Sequence, residues 1–178
     1  MTRRDTIRVH VGHICLQRAI DGDAERFIRL VEALDAEGVN QHVIAGNADL
    51  AKRVSLYRHV SIGPVAASAV VAYCLMPQVD LVHAHGDLAG QAALLLTLTR
   101  SIPYIMSRSS GSAPSRNPVF RAVLKRAMAQ HTPQDALDVG EILRVYSRAQ
   151  TKWRDKAKRT KTDQNSQSTP TAGSSGNQ

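Results

Sequence analysis

The sequence predicts an α/β fold, a doubly wound parallel sheet, and three observations carry that prediction. Short apolar runs of strand length alternate with helical patterns along most of the chain. The central stretch, residues 79–109 (VDLVHAHGDLAGQAALLLTLTRSIPYIMSRS), reads strand, helix, strand. That is the crossover unit joining neighbouring parallel strands in a sheet covered on both faces. Glycine and proline punctuate the joints, at Gly38, Gly63-Pro64 and Pro103. Right-handed crossovers then make 3-2-1-4-5 the default order of five strands.

Each element follows from its residues. Residues 7–12 (IRVHVG) alternate and end in glycine, as a first strand would, and residues 13–23 read as a loop. Residues 24–37 are an amphipathic helix, with Phe27, Leu30, Val31 and Leu34 at helical spacing and Glu25, Arg29, Glu32 and Asp35 between them. Gly38 is its C-terminal cap. A second strand is expected at 41–45, a short helical connection at 47–53 and a third strand at 59–62. Residues 65–75 are apolar nearly all round, which predicts a buried helix.

Strand four is residues 79–84, followed by a turn at Gly86-Asp87 with Asp87 as helix N-cap. The Ala- and Leu-rich helix 88–100 is too apolar for a surface position, and residues 104–106 form the fifth strand. A Ser-rich loop, 107–117, leads through Pro118 into a helix at 119–130. The last helix is expected at 133–152, with Thr132 as N-cap, Pro133 opening it and Asp135 completing a capping box. Val139, Ile142, Leu143 and Tyr146 make one apolar stripe on it, which should dock on the domain. Gly140 within it costs about 1 kcal/mol relative to alanine. The ordered domain is thus expected over residues 1–153, with 154–178 a disordered basic and polar tail.

Composition narrows the function classes. At 178 residues, the chain supports one domain with a real core. The formal net charge is +8, and half of the excess lies after Thr151, where six Lys/Arg face two Asp. That segment has no aromatic residue besides Trp153, which speaks for an anionic membrane surface rather than nucleic acid as partner. Cys15 and Cys74 show no metal or disulfide spacing and read as free thiols of a reducing compartment. The start, MTRRDTIRVH, lacks the apolar core of a signal peptide, and the longest apolar run, 65–76, is about half a membrane span. A cytoplasmic protein, peripheral to the inner membrane, is expected.

Parallel α/β sheets bind ligands beyond the carboxyl ends of their strands. Those ends hold His83, His85, Gly86, Ser107, Arg108 and Ser109. His83 and His85 lie two apart and so share a face of the strand. They could ligate a metal only with help from His10 and His13, so neither metal nor cofactor is expected. His83 is read as a core residue bonded to backbone, and His85 as lining the cleft. No P-loop, G-x-G-x-x-G or G-x-S-x-G occurs, and no catalytic residue is assigned.

D-L-V-H-A-H, a small loop, a small-residue helix and then I-P-Y-I-M-S-R resemble the middle of the N-terminal, acceptor-side domain of family-4 GT-B glycosyltransferases. The likeness is greatest to those acting on bacterial envelope polysaccharides, and it covers about residues 7–127. It implies a G-G-x-E pattern opening the first helix, which Gly22 and Glu25 match while Asp23 replaces the second glycine. Read from their chemistry alone, Asp21 and Asp23 cap that helix and complement its dipole. The resemblance also implies a ligand-facing His85 beside Gly86. Where many members carry a histidine after strand five, this chain has Arg108 and Ser109. Arg108 matches the first arginine of a T-R-R variant, and an arginine there suits phosphate or carboxylate.

Residues 133–150 (PQDALDVGEILRVYSRAQ) are similar to the final helix of these enzymes, with V-Y-x-R-A as the resembling part. The strand expected after Ala127, with its D-x-x-I-x-x-S pattern, is missing, as is the donor domain that holds the nucleotide sugar. The resemblance therefore implies a truncated, acceptor-side half of a GT-B enzyme of envelope polysaccharide or lipopolysaccharide synthesis, inactive alone. Its partners would be a separate donor-domain chain and a sugar or lipid-linked acceptor. The other reading is a non-catalytic binding or regulatory module derived from such an enzyme.

Overall fold

The computed structural model describes residues 9–107, 118–131 and 138–167. Its strands are β1 (His10–Cys15), β2 (Asn40–Ala45), β3 (Val60–Ile62), β4 (Leu81–His85), β5 (Tyr104–Ser107) and β6 (Ala129–His131). Its helices are α1 (Gly22–Ala36), α2 (Ala48–Val54), α3 (Ala69–Leu75), α4 (Asp87–Arg100), α5 (Pro118–Arg126) and α6 (Val139–Gln167). All strand pairs are parallel, in the order β3-β2-β1-β4-β5-β6. The chain thus adopts the expected doubly wound, Rossmann-like fold, with one strand more than expected at the β5 edge.

Strand alternation sends side chains to two different layers. Ile14, Val82, Ala84, Tyr104 and Met106 pack against α3, α4 and α5. Val11, Leu81 and Ile105 pack against Leu30 and Leu34 of α1 and Ile142, Tyr146 and Ala149 of α6. Cys15, Val43 and Ala45 continue that second layer beneath Phe27 of α1 and Leu50 of α2. The α6 stripe docks as its spacing foretells: Ile142 and Tyr146 are buried, while Val139 and Leu143 are half-buried.

Several expectations are corrected. β1 runs three residues further than its expected end at Gly12, because Ile14 and Cys15 have apolar layers to enter on either face. Gly12 does not stop the strand; a Cβ there would lie 2.6 Å from Met76 Sδ, so glycine lets the end of α3 come close. Helix α1 begins at Gly22, since the Asp21 carboxylate accepts from the amides of Asp23 and Ala24, 3.0 Å each. α3 starts only at Ala69, and only its Ala69 and Ala72 are buried; Val70 and Val71 face solvent. α4 covers the sheet with small residues and Leu96, but Leu88 and Leu98 are exposed, so it is a surface helix after all. Gly86, not Asp87, caps α4, at a φ of 88° that glycine adopts without strain.

Past residue 117 the differences grow. α5 stops at Arg126, and residues 129–131 leave it to pair with β5 as β6. A strand therefore does follow Ala127. α6 is described from Val139, with Asp138 Oδ1 accepting from the Glu141 amide at 3.1 Å. The expected cap at Thr132, Pro133 and Asp135 lies outside the described residues. At its other end α6 continues to Gln167, past the boundary expected at residue 153. Its Lys, Arg, Ala and Gln residues favour helix without needing burial. Residues 168–178 of the expected tail are outside the described residues. Among the described residues no helix is long and apolar enough to cross a membrane.

Candidate functional site

Parity on two adjacent strands builds a polar group into an otherwise apolar layer. His13 follows Val11 by two positions on β1, and His83 and His85 follow Leu81 on β4, so all three imidazoles enter the α1/α6 layer. The parallel register sets His13 level with His83, and His85 level with both Cys15 and Ser107. His13 and His83 are fully buried, whereas His85 is half-buried at the strand end. The group therefore opens toward the carboxyl edge of β1 and β4, where the strand order reverses direction from the centre.

The rings are packed closely. Centroids of His83 and His85 are 4.1 Å apart, and His13 lies 5.5 Å from His85 and 5.6 Å from His83. Phe27 of α1 closes one side, 4.6 Å from His85 and 5.8 Å from His13. Tyr146 of α6 meets His83 edge-on at 5.7 Å. His13 Nδ1 and His85 Nε2 are 3.2 Å apart, so one of the two nitrogens carries the shared proton. His83 Nδ1 bonds the Tyr146 hydroxyl at 2.9 Å and its Nε2 bonds Ser107 Oγ at 2.6 Å. The expected backbone partner of His83 is thus replaced by two hydroxyls, each able to donate or accept as the ring nitrogen requires.

Burial sets the protonation states. Desolvation pulls the His13 pKa from 6.5 down to about 3, outweighing the Gln41 side chain, which favours the charged ring. Burial likewise pushes the Tyr146 hydroxyl well above its ordinary value. Burial is also the main cause that lifts the Cys15 thiol to about 12, with Asp21 and Asp23 adding and the Gln17 backbone opposing. His13 is therefore neutral and Cys15 a thiol at neutral pH, which makes Cys15 an inert packing residue.

Ser107, His83 and Tyr146 stand in the order nucleophile, base, orienting group. Ser107 is only 5% exposed and His83 fully buried, so this chain of hydrogen bonds locks α6 to the sheet rather than meeting a substrate. The three histidines offer something else. One donor atom from each lies within 4.8 Å of the others, a set that a transition cation accepts. His10, once a candidate helper, is not in that group.

The remaining expected site residues are scattered. His85 and Gly86 lie at the end of β4, at the mouth of the group. Gly22 is exposed at the start of α1, and Glu25 is drawn away to accept from Arg53 Nη1 at 2.6 Å. Arg108 and Ser109 lie outside the described residues. Sequence reading placed His13 in a loop, naming it only as a helper ligand beside His10, and counted Tyr146 only as part of a stripe, without its hydroxyl. Each had a signal: Val11-His13-Cys15 continues the strand period, and a tyrosine on a docked stripe needs a partner for its hydroxyl.

No family model matches the sequence, and no curated protein matches it. Among solved structures, a GsuK channel bound to NAD is similar at 18% identity and a TM-score of 0.46, over 71% of this chain. The match spans 22% of that channel chain.

Proposed function

We propose that this chain is the acceptor-side half of a GT-B glycosyltransferase of cell-envelope polysaccharide or lipopolysaccharide synthesis, with the nucleotide-sugar half outside these 178 residues. The observation that carries the reading is the seating of α6. The helix whose sequence is similar to the family's closing helix lies on the β4–β5 face beside α1, with Tyr146 bonded to His83 of the D-L-V-H-A-H strand. An acceptor sugar would meet His85 and Gly86 at the strand ends. The exposed Lys152, Arg154, Lys156, Lys158 and Arg159 of α6 support attraction to anionic lipid, where a lipid-linked acceptor resides.

Affinity capture from native lysate tests the assignment. Recovery of a bound chain with a nucleotide-sugar domain supports it. Calorimetry should find no nucleotide-sugar binding by this chain alone; a micromolar Kd (about −8 kcal/mol) would overturn the division into halves. The second reading, a non-catalytic binding or regulatory module, is favoured by the sealing of Ser107 and His83 under α6. Acceptor binding without transfer, once the captured partner is added back, would select it.

A further inference from the structure

We infer that His13, His83 and His85 form a binding site for one divalent first-row transition cation at the carboxyl ends of β1 and β4. The inference stands apart from the glycosyl-transfer reading, since it concerns a donor set and not a substrate. Three imidazoles leaving one position free make an open site of the kind that zinc occupies in enzymes, the fourth place going to water or an added ligand. Zn–N bonds of about 2.0–2.1 Å at tetrahedral angles set two ligating nitrogens roughly 3.3 Å apart. His13 Nδ1 and His85 Nε2 already stand 3.2 Å apart, and all three residues offer atoms within 4.8 Å of one another. The third side is closed when a His83 nitrogen comes in from at most 4.8 Å.

The surrounding groups suit the same occupant. His13 Nε2 is buried without a hydrogen-bond partner, and so is Oε1 of Gln41, the neighbouring side chain on β2. A cation on Nδ1 fixes the His13 proton at Nε2, which turns that nitrogen into a donor for the Gln41 carbonyl. Gln41 is itself held from behind, its Nε2 donating to the Val31 carbonyl at 3.0 Å. His83 has a hydroxyl on each nitrogen; one gives way to the metal and the other stays to fix the ring. Half-buried His85 is the side from which the ion arrives.

The test uses the full chain, stripped with chelator and dialysed against zinc chloride. One equivalent of zinc should be retained, and cobalt(II) in its place should give the intense visible bands of a four-coordinate ion. His85→Ala should weaken zinc binding by more than the roughly 10–100-fold that loss of an outer hydrogen-bond partner costs. His59→Ala, whose imidazole sits on Asp35 instead, should bind as the parent does. No retained zinc, or equal retention by His85→Ala, would overturn the site. Should His85→Ala fail to fold by circular dichroism, the parent's cobalt spectrum decides: four-coordinate bands support the site and the faint spectrum of a hexaaqua ion refutes it.

Discussion

The two faces of the sheet solve the same packing problem with different chemistry. Toward α3, α4 and α5 the described apolar cluster is aliphatic apart from Tyr73, Tyr104 and two methionines, with half-buried His42 on Ser61 at its margin, and the Tyr104 hydroxyl is passed at once to the Val123 carbonyl. Toward α1 and α6, imidazoles, hydroxyls and an amide interrupt the aliphatic layer, and each needs a directional partner. An aliphatic layer is specified by volume, so α4 can slide or tilt slightly at modest cost. A polar row is specified by angle and distance, so α6 has one seat, set by Tyr146 on His83. Rigidity at the strand ends of β1 and β4 comes from the second kind of layer.

The largest effect sharpens the aliphatic side. Leu96→Ala, in the middle of the α4 layer, should cost about 2–5 kcal/mol in urea unfolding, and the same amount at pH 7 as at pH 5. A pH-dependent loss would mean that the two layers are coupled rather than separate.

The second effect belongs to the polar side. His13 binds a proton near pH 6.5 when unfolded but only near pH 3 when folded. Above pH 6.5 neither state is protonated, and the group leaves stability unchanged. Below it the unfolded state gains the proton first, so stability falls with pH until about pH 3. Between pH 7 and 5 the chelator-treated protein should lose about 2 kcal/mol through this group. Half-buried His42, also lowered by burial and by His10, acts in the same direction. Urea midpoints of His13→Gln should show a visibly shallower decline than the parent; identical slopes would remove His13 as the cause.

The smallest effect isolates a single bond between the two. Tyr146→Phe keeps the ring packed and strips the hydroxyl from His83 Nδ1, leaving a buried ring nitrogen without its partner. The expected loss is about 1–2 kcal/mol, below that of Leu96→Ala. A loss as large as the core truncation would show that α6 is held by this bond and not by its stripe.

Sequence reading recovers whatever period announces. β2, β4 and β5 carry apolar runs of strand length, and Phe27, Leu30, Val31 and Leu34 mark α1 by their spacing. It fails where identity and environment disagree. Ala129-Gln130-His131 has no apolar run, and becomes a strand only because β5 offers an open edge. The polarity of His13 hides its place in β1, although its neighbours on both sides are buried. The length of α6 is hidden too, since residues 154–159 of its basic half are exposed and gain nothing from packing. His85 and Gly86 do stand at the end of β4, but the groups that His85 and His83 meet arrive from β1 and α6, at sequence distances no motif spans.

The level pairing of His13 with His83 also governs which changes in length the gene can tolerate. Side chains alternate strictly along a strand, so one residue added or lost within β1 or β4 carries its imidazoles to the opposite face. There they would enter the aliphatic layer under α4, each a buried polar ring with no partner waiting. Loops such as the one between β1 and α1 can grow or shrink without moving the rings at all. Drift in this lineage should therefore write insertions into the connections and erase them from the two central strands, leaving the spacing H-A-H and the interval from Val11 to His13 as fixed distances.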